Sequence, residues 1–153
     1  MAAGPPVYAV LVAQIPLVDY LVLDGDTHLV AKQCVTCGAR YFDRRNACAA
    51  CFSTAGFSDV DVAREGTLTA YTIVSHAAPG IPVPVVAGVV DCDGTSVRGN
   101  IVNVPADPEH VRLGMKVRLT TVAAGVDSAG TEAVGYGFEP IESRVAAERN
   151  ADG

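Results

Sequence analysis

Cys34-Val-Thr-Cys37 and Cys48-Ala-Ala-Cys51, with ten residues between them, decide how the front of this chain folds. Each C-x₂-C pair sets two thiolates on one tight turn, and two such turns supply four sulfurs to a tetrahedral ion. The spacer, Gly38 to Ala47, is too short for a domain and long enough for a small loop. Two such pairs in a chain with only five cysteines read as a zinc ribbon. Four thiolates saturate the ion and leave no position for water or substrate, so Cys34, Cys37, Cys48 and Cys51 are expected to hold a structural zinc. Iron fits the same sulfurs, but nothing nearby suggests an electron-transfer surface.

Working outward from the ribbon, the 153 residues divide into four stretches. Residues 1–33 read as an extended or hairpin docking segment, 34–60 as the ribbon, 61–142 as a barrel and 143–153 as a loose, charged tail. Asp24-Gly25, between Leu21-Val22-Leu23 and His28-Leu29-Val30-Ala31, is a hairpin signal leading into the first knuckle. In the ribbon, Tyr41-Phe42 is expected to cover the metal-proximal turns, with Asp43, Arg44 and Arg45 exposed at the tip. Phe52 and Phe57 are expected to tie the ribbon to the second half of the chain.

That second half reads as all-β. Thr67 to Val74 is rich in β-branched and aromatic residues, and Val83 to Val90 comes after a proline-punctuated loop. Asp93-Gly94 turns the chain into a third strand, Thr95 to Val104; Val117 to Ala123 and Ala133 to Phe138 complete five. Glu109 to Leu113 has room for a short helix between the third and fourth. Five strands with one short connector match a Greek-key barrel of the OB type. The fold class is therefore all-β: a small zinc ribbon followed by a five-stranded OB-fold barrel.

Composition narrows the function classes. Half the residues are hydrophobic and 18% are charged, too apolar for a disordered chain. The apolar run Val7 to Leu23 is broken by Gln14, Pro16 and Asp19 and makes a poor membrane span. No Lys or Arg precedes Lys32, so nothing resembles a secretory n-region, and a cytoplasmic setting with reduced thiols is expected. Cys92, which has no knuckle partner, reads as a small buried hydrophobe. The net charge of −6 disfavours phosphate-backbone binding unless a local basic patch overrides it.

The order Cys34-x-x-Cys37-Gly38, Phe42, Cys48-x-x-Cys51, Gly66-Thr67-Leu68, Tyr71-Thr72-Ile73-Val74 and Val111-Arg112-Leu113-Gly114-Met115-Lys116-Val117 resembles a known family. That family is the zinc-ribbon and OB-fold proteins called domain of unknown function thirty-five, and the likeness runs from about Leu29 to Pro140. It implies an accessory subunit in a hetero-oligomer with a thiolase-like protein: a thiolase, a sterol-carrier-type thiolase, a steroid side-chain retro-aldolase or hydroxymethylglutaryl-CoA synthase. There such subunits bridge chains and help hold acyl-CoA. This chain departs from the pattern in two places. It lacks prolines around the second knuckle, and Val7 to Val30 reads as extended where members carry a helical hairpin.

Beside that resemblance, Lys32, Arg40, Arg44 and Arg45 surround the ribbon and suit the phosphates of CoA through charge-assisted hydrogen bonds. His76, at the end of the first barrel strand, stands where barrels often bind ligands. No nucleophile elbow, acid pair or phosphate loop is present, so no catalytic residue is assigned. The apolar surplus of Val7 to Leu23 suits a protein interface. The alternative is an OB-fold module for single-stranded nucleic acid, which needs a cationic groove and stacking aromatics; aromatics are 6% and Trp is absent.

Overall fold

Between Val85 and Cys92 every second residue is buried: Val86, Gly88, Val90 and Cys92 point inward while Ala87, Val89 and Asp91 do not. That period of two, which recurs from Thr95 to Ile101, is what lets a sheet wrap around one core. The computed structural model describes residues 13–141. Among them are ten strands and no helix: β1 (Gln14–Pro16), β2 (Leu21–Val22), β3 (His28–Cys34), β4 (Arg40–Tyr41), β5 (Phe57–Asp61), β6 (Glu65–Val74), β7 (Val85–Cys92), β8 (Thr95–Ile101), β9 (Lys116–Val126) and β10 (Glu132–Pro140). No described helix is long and apolar enough to cross a membrane.

The barrel closes in the order β6–β7–β8–β10–β9 and back to β6. Every pairing is antiparallel except β8 with β10, which meet in parallel at Phe138 and Ile101. The β7–β8 hairpin turns on Asp93 and Gly94, both at positive φ (54° and 94°), as a two-residue hairpin requires. Inward side chains from all five strands meet in one cluster, among them Leu68, Val90, Val97, Val117 and Phe138. This is the expected five-stranded OB-type barrel.

The ribbon is not merely tethered to it. β3 pairs with β2 and β4 and, along its other edge, with β5. Leu21, Leu29, Ala31 and Val62 from this smaller sheet belong to the same buried cluster as the barrel residues. The hairpin at Asp24-Gly25 forms as expected, with Leu21 opposite Leu29 and Gly25 at φ 66°. β1 lies parallel to β10, Gln14 opposite Glu132, and adds a short outer strand.

Four local expectations need correction. The connector after the third strand is a single turn closed on Asp107, whose carbonyl accepts from His110 and Val111 N–H at 3.2 and 3.1 Å. With Pro108 before it and Gly114 after it, five residues are too few to propagate a helix. The third strand stops at Ile101 because Asn103 takes a left-handed conformation (φ 59°). Phe42 packs on Tyr20, ring centroids 4.8 Å apart, so that of the Tyr41-Phe42 pair Tyr41 is the one that reaches a knuckle sulfur. Phe52 ties nothing down: it is 81% exposed, because the knuckle turn holds its backbone at φ 64° and aims the side chain outward. Phe57, in β5, does pack, edge-on to Tyr41 at 6.0 Å. The start of the Val7–Leu23 run and the tail from residue 143 lie outside the described residues.

Two phenylalanines therefore separate cleanly. Phe138→Ala, at a position with no exposed surface, is expected to cost about 3–5 kcal/mol of unfolding free energy in urea titration. Phe52→Ala is expected to stay within about 0.5 kcal/mol of the parent.

Candidate metal centre and the cleft beside it

The two knuckles are built alike. Gly38 N–H donates to the Cys34 carbonyl at 3.0 Å, and Phe52 N–H donates to the Cys48 carbonyl at 2.9 Å. Gly38 (φ 82°) and Phe52 (φ 64°) take the same left-handed backbone, which turns the chain back on itself. Inside each turn a backbone N–H points at the first sulfur: Thr36 to Cys34 Sγ at 3.4 Å, Ala50 to Cys48 Sγ at 3.3 Å. The turns are joined by the Thr36 and Ser53 hydroxyls at 2.8 Å and by Val35 N–H donating to the Gly56 carbonyl at 3.2 Å.

All four sulfurs lie within 4.8 Å of one another. Cys34 Sγ is 3.7 Å from Cys51 Sγ, and Cys37 Sγ is 3.6 Å from Cys48 Sγ. A zinc–sulfur bond of about 2.3 Å gives a tetrahedron whose edges are about 3.8 Å, so the spacing fits zinc and is far too long for disulfides. Cys34 and Cys48 are buried while Cys37 is exposed. The site is a structural zinc ribbon, as the spacing of the cysteines implies.

Electrostatics at the cage pulls in two directions. The Tyr41 hydroxyl, 3.5 Å from Cys48 Sγ, together with the backbone N–H groups of Cys51 and Ala50, holds the Cys48 thiol down to about 6. Backbone N–H groups of Cys37 and Thr36 lower Cys34. At Cys51 the Ser53 N–H also favours the thiolate, but burial and the neighbouring sulfurs of Cys37, Cys34 and Cys48 prevail and push it up to about 12. Like charges so close oppose the last ionisation, and a dication at their centre reverses that balance.

The remaining candidates are spread over the surface. Lys32 and Arg44 border one cleft beside the ribbon, floored by Tyr20, Phe42 and Val30. Lys32 Nζ is paired with Asp59 at 2.6 Å, and Asp19 stands on the same rim. The Arg44 guanidinium has no partner among the described residues. Arg40 is turned elsewhere: it donates to Gln33 Oε1 and to Thr95 Oγ1, each at 2.8 Å, bridging ribbon and barrel. Arg45 pairs with Asp43 at 3.0 Å and lies 4.3 Å above the Tyr41 ring. His76 is exposed in the β6–β7 loop, in neither neighbourhood.

None of the described histidines faces a nucleophile. His28 contacts the Asp26 carbonyl and Asp61, and His110 contacts Asp107 at 2.7 Å. Cys92 is buried, and desolvation together with Asp91 raises its thiol to about 11, so it stays protonated and inert. Tyr41 stands at the metal-proximal turns as its position ahead of the second knuckle implies. Sequence reasoning misses two contributors, the Tyr20 ring and the Thr95 hydroxyl that receives Arg40, because both act across the fold.

Comparison with known proteins finds two family models in succession along the chain. Residues 25–56 match a family model described as ChsH2, rubredoxin-like zinc ribbon domain, and residues 59–122 match one described as ChsH2, C-terminal OB-fold domain. Together they take in more than half of the chain. A solved structure described as "Ltp2-ChsH2(DUF35) aldolase" shares the fold, with a TM-score of 0.57 and 24% identity over 74% of this chain and 84% of that one. Among curated proteins nothing matches.

Zinc loading must expel the proton that Cys51 holds at neutral pH, so affinity is expected to fall as pH falls and protons to be released on binding. Competition with a chromophoric chelator between pH 8 and about 5.5 checks the first; calorimetry in buffers of different ionisation enthalpy checks the second. Tyr41→Phe, which removes the hydroxyl beside Cys48, is expected to weaken zinc binding about tenfold.

Proposed function

The chain belongs to the ChsH2 family of zinc-ribbon and OB-fold proteins, and from that membership we propose that it is a non-catalytic accessory subunit of a thiolase-superfamily enzyme that helps hold its acyl-CoA substrate. The observation that carries this reading is the closed metal site: four cysteine sulfurs at tetrahedral spacing leave the ion no open position for chemistry. No histidine–nucleophile pair stands elsewhere among the described residues. A rigid subunit without its own reaction acts through its surfaces.

One surface supports a partner. Ile15 and Leu17, in and beside β1, are 53% and 60% exposed, and Val122 of β9 is 37% exposed. Gly135 lies opposite Val122, and a Cβ there would stand 3.4 Å from Leu17 Cδ2, so Leu17 and Val122 share one face. Exposed apolar side chains gathered this way suit a protein contact. The solved neighbour, whose title joins Ltp2 to ChsH2 and calls the pair an aldolase, points to the same kind of assembly. The setting is the cytoplasm, where thiols stay reduced and available to zinc.

For the substrate, the cleft of Lys32 and Arg44 is the place where the candidate cations meet an aromatic floor. Tyr20 and Phe42 suit a planar base, and Arg44 suits a phosphate. Arg40, Arg45 and His76 enter this role only by rearranging. Against the nucleic-acid alternative, the outer face of β6, β7 and β8 presents Ala70, Thr72, Ala87, Val89, Arg98 and Asn100, and the one aromatic residue that lines it, Tyr71, packs on the core.

Co-expression with a thiolase-superfamily enzyme, followed by size-exclusion chromatography, is expected to give a hetero-oligomer that Leu17→Asp dissociates. In that complex Arg44→Ala is expected to weaken CoA binding about tenfold while leaving the assembly intact. Steep, salt-dependent binding of single strands by the isolated chain, with no complex formed, would overturn the reading.

A further inference from the structure

A shallow cavity of about 550 Å³ lies on the outside of the barrel, on the face of β6, β7 and β8. Its origin is on the inside. Gly88 and Gly99 are opposite each other in the β7–β8 register, and Tyr71 is opposite Gly88 on β6. A Cβ on Gly88 would stand 2.9 Å from Leu68 Cδ1, and one on Gly99 would stand 3.1 Å from the Phe138 ring. With no side chain to hold them off, the two strands settle against the core there. On the outer side the two glycines and Tyr71 line the hollow.

The walls are two rows of outward side chains set by the register. Ala70, Val89 and Arg98 are opposite one another across β6, β7 and β8; so are Thr72, Ala87 and Asn100. Beyond the second row the β6–β7 loop exposes Ile81 and Val83, 54% and 41% accessible, and carries no charged residue from Ala77 to Pro84. The trough therefore joins a small apolar wall to a single cation. The Arg98 guanidinium has no hydrogen-bond or ion-pair partner among the described residues. Asp91, two residues from Val89 on the same face of β7, is committed to the Gly94 N–H at 2.8 Å.

This is the chemistry of a site for an amphiphile with one negative head. The volume falls in the range of small-molecule sites, about 300–1,000 Å³. The run along β7 from Val89 to Val85, about 13 Å, suits a medium-length hydrocarbon chain. We propose that the face binds a medium-chain carboxylate, with the head on Arg98 and the chain across Val89 and Ala87 toward the β6–β7 loop. The site is separate from the Lys32–Arg44 cleft, and it does not rest on the accessory role.

The test uses the zinc-loaded chain alone, titrated calorimetrically with decanoate below its micellar concentration. One saturable site is expected. Arg98→Ala is expected to weaken it about tenfold, and decanol, which lacks the charge, to bind the parent about tenfold less well and to ignore Arg98→Ala. Ala87→Leu fills the trough and is expected to abolish binding at unchanged Tm. Thr72→Leu, at an exposed position in the same row, serves if Ala87→Leu does not fold. Equal affinities for decanoate and decanol, or undiminished binding in both blocking variants, overturn the proposal. So does a dimer in light scattering that the blocking variants convert to monomer, since the face then belongs to a second copy. Failure of this titration leaves the thiolase complex untouched, and failure of that complex leaves this titration untouched.

Discussion

Four sulfurs held within 4.8 Å of one another are the constraint on which the front of the molecule depends. Close together and partly ionised, they repel, and a thiol such as Cys51 keeps its proton as long as no cation offsets its neighbours. A zinc ion turns that repulsion into the force that fixes the fold. The loops it clamps, 35–39 and 48–56, have no regular structure of their own and few buried side chains. Their backbone is ordered by turns that close only when each sulfur faces the centre. Metal binding and folding are thus one free energy in this part of the chain.

What the cage fixes is passed on to the barrel by short, specific contacts. Arg40, in the strand between the knuckles, reaches Thr95, the one buried polar or charged residue among those described. Tyr20 packs on Phe42, lies 6.0 Å from Tyr136 and meets its hydroxyl at 3.4 Å, and Tyr136 stands edge-on to Phe138 at the centre of the barrel. Burial and the Tyr20 hydroxyl raise the Tyr136 phenol well above its ordinary value, so that phenol stays neutral at any physiological pH. Because ribbon and barrel also share one apolar cluster, they pack as one rigid piece.

How much of this the chain declares in advance depends on the range of the forces involved. The knuckles are legible because a metal site is written in residue type and spacing alone. The barrel strands are legible because one-sided burial imposes a period of two, and the Asp-Gly hairpins because only certain residues tolerate their backbone. The failures are all non-local or conformational. Phe52 has the composition of a core residue, and only the left-handed turn that the knuckle demands sends it into solvent. Phe42 looks like a cover for the metal because its true partner, Tyr20, lies 22 positions away and meets it only once β2 and β3 pair. The basic residues around the ribbon are one cluster in sequence; in space, Arg40 and Arg45 already have partners, and only Lys32 and Arg44 share a cleft.

That sorting bears on function more than the net charge does. An overall −6 disfavours anionic ligands on average, yet average charge matters little at contact distance, where screening confines each group to roughly its own neighbourhood. The described chain from Leu119 to Ile141 holds Asp127, Glu132 and Glu139 and no Lys or Arg, and its exposed apolar residues lie on that side with β1. Of the described cations, Lys32, Arg40, Arg44 and Arg45 are in the ribbon and Arg98 is on the β6–β8 face, while Lys116 and Arg118 open β9 and Arg118 pairs with Glu139 at 3.0 Å. On the proposed reading, the apolar surface beside β1 would meet a protein while the ribbon cations face an anion elsewhere. Separate surfaces on a zinc-stiffened frame cost no reordering when both are engaged, which is the physical advantage a rigid accessory subunit has over a flexible one.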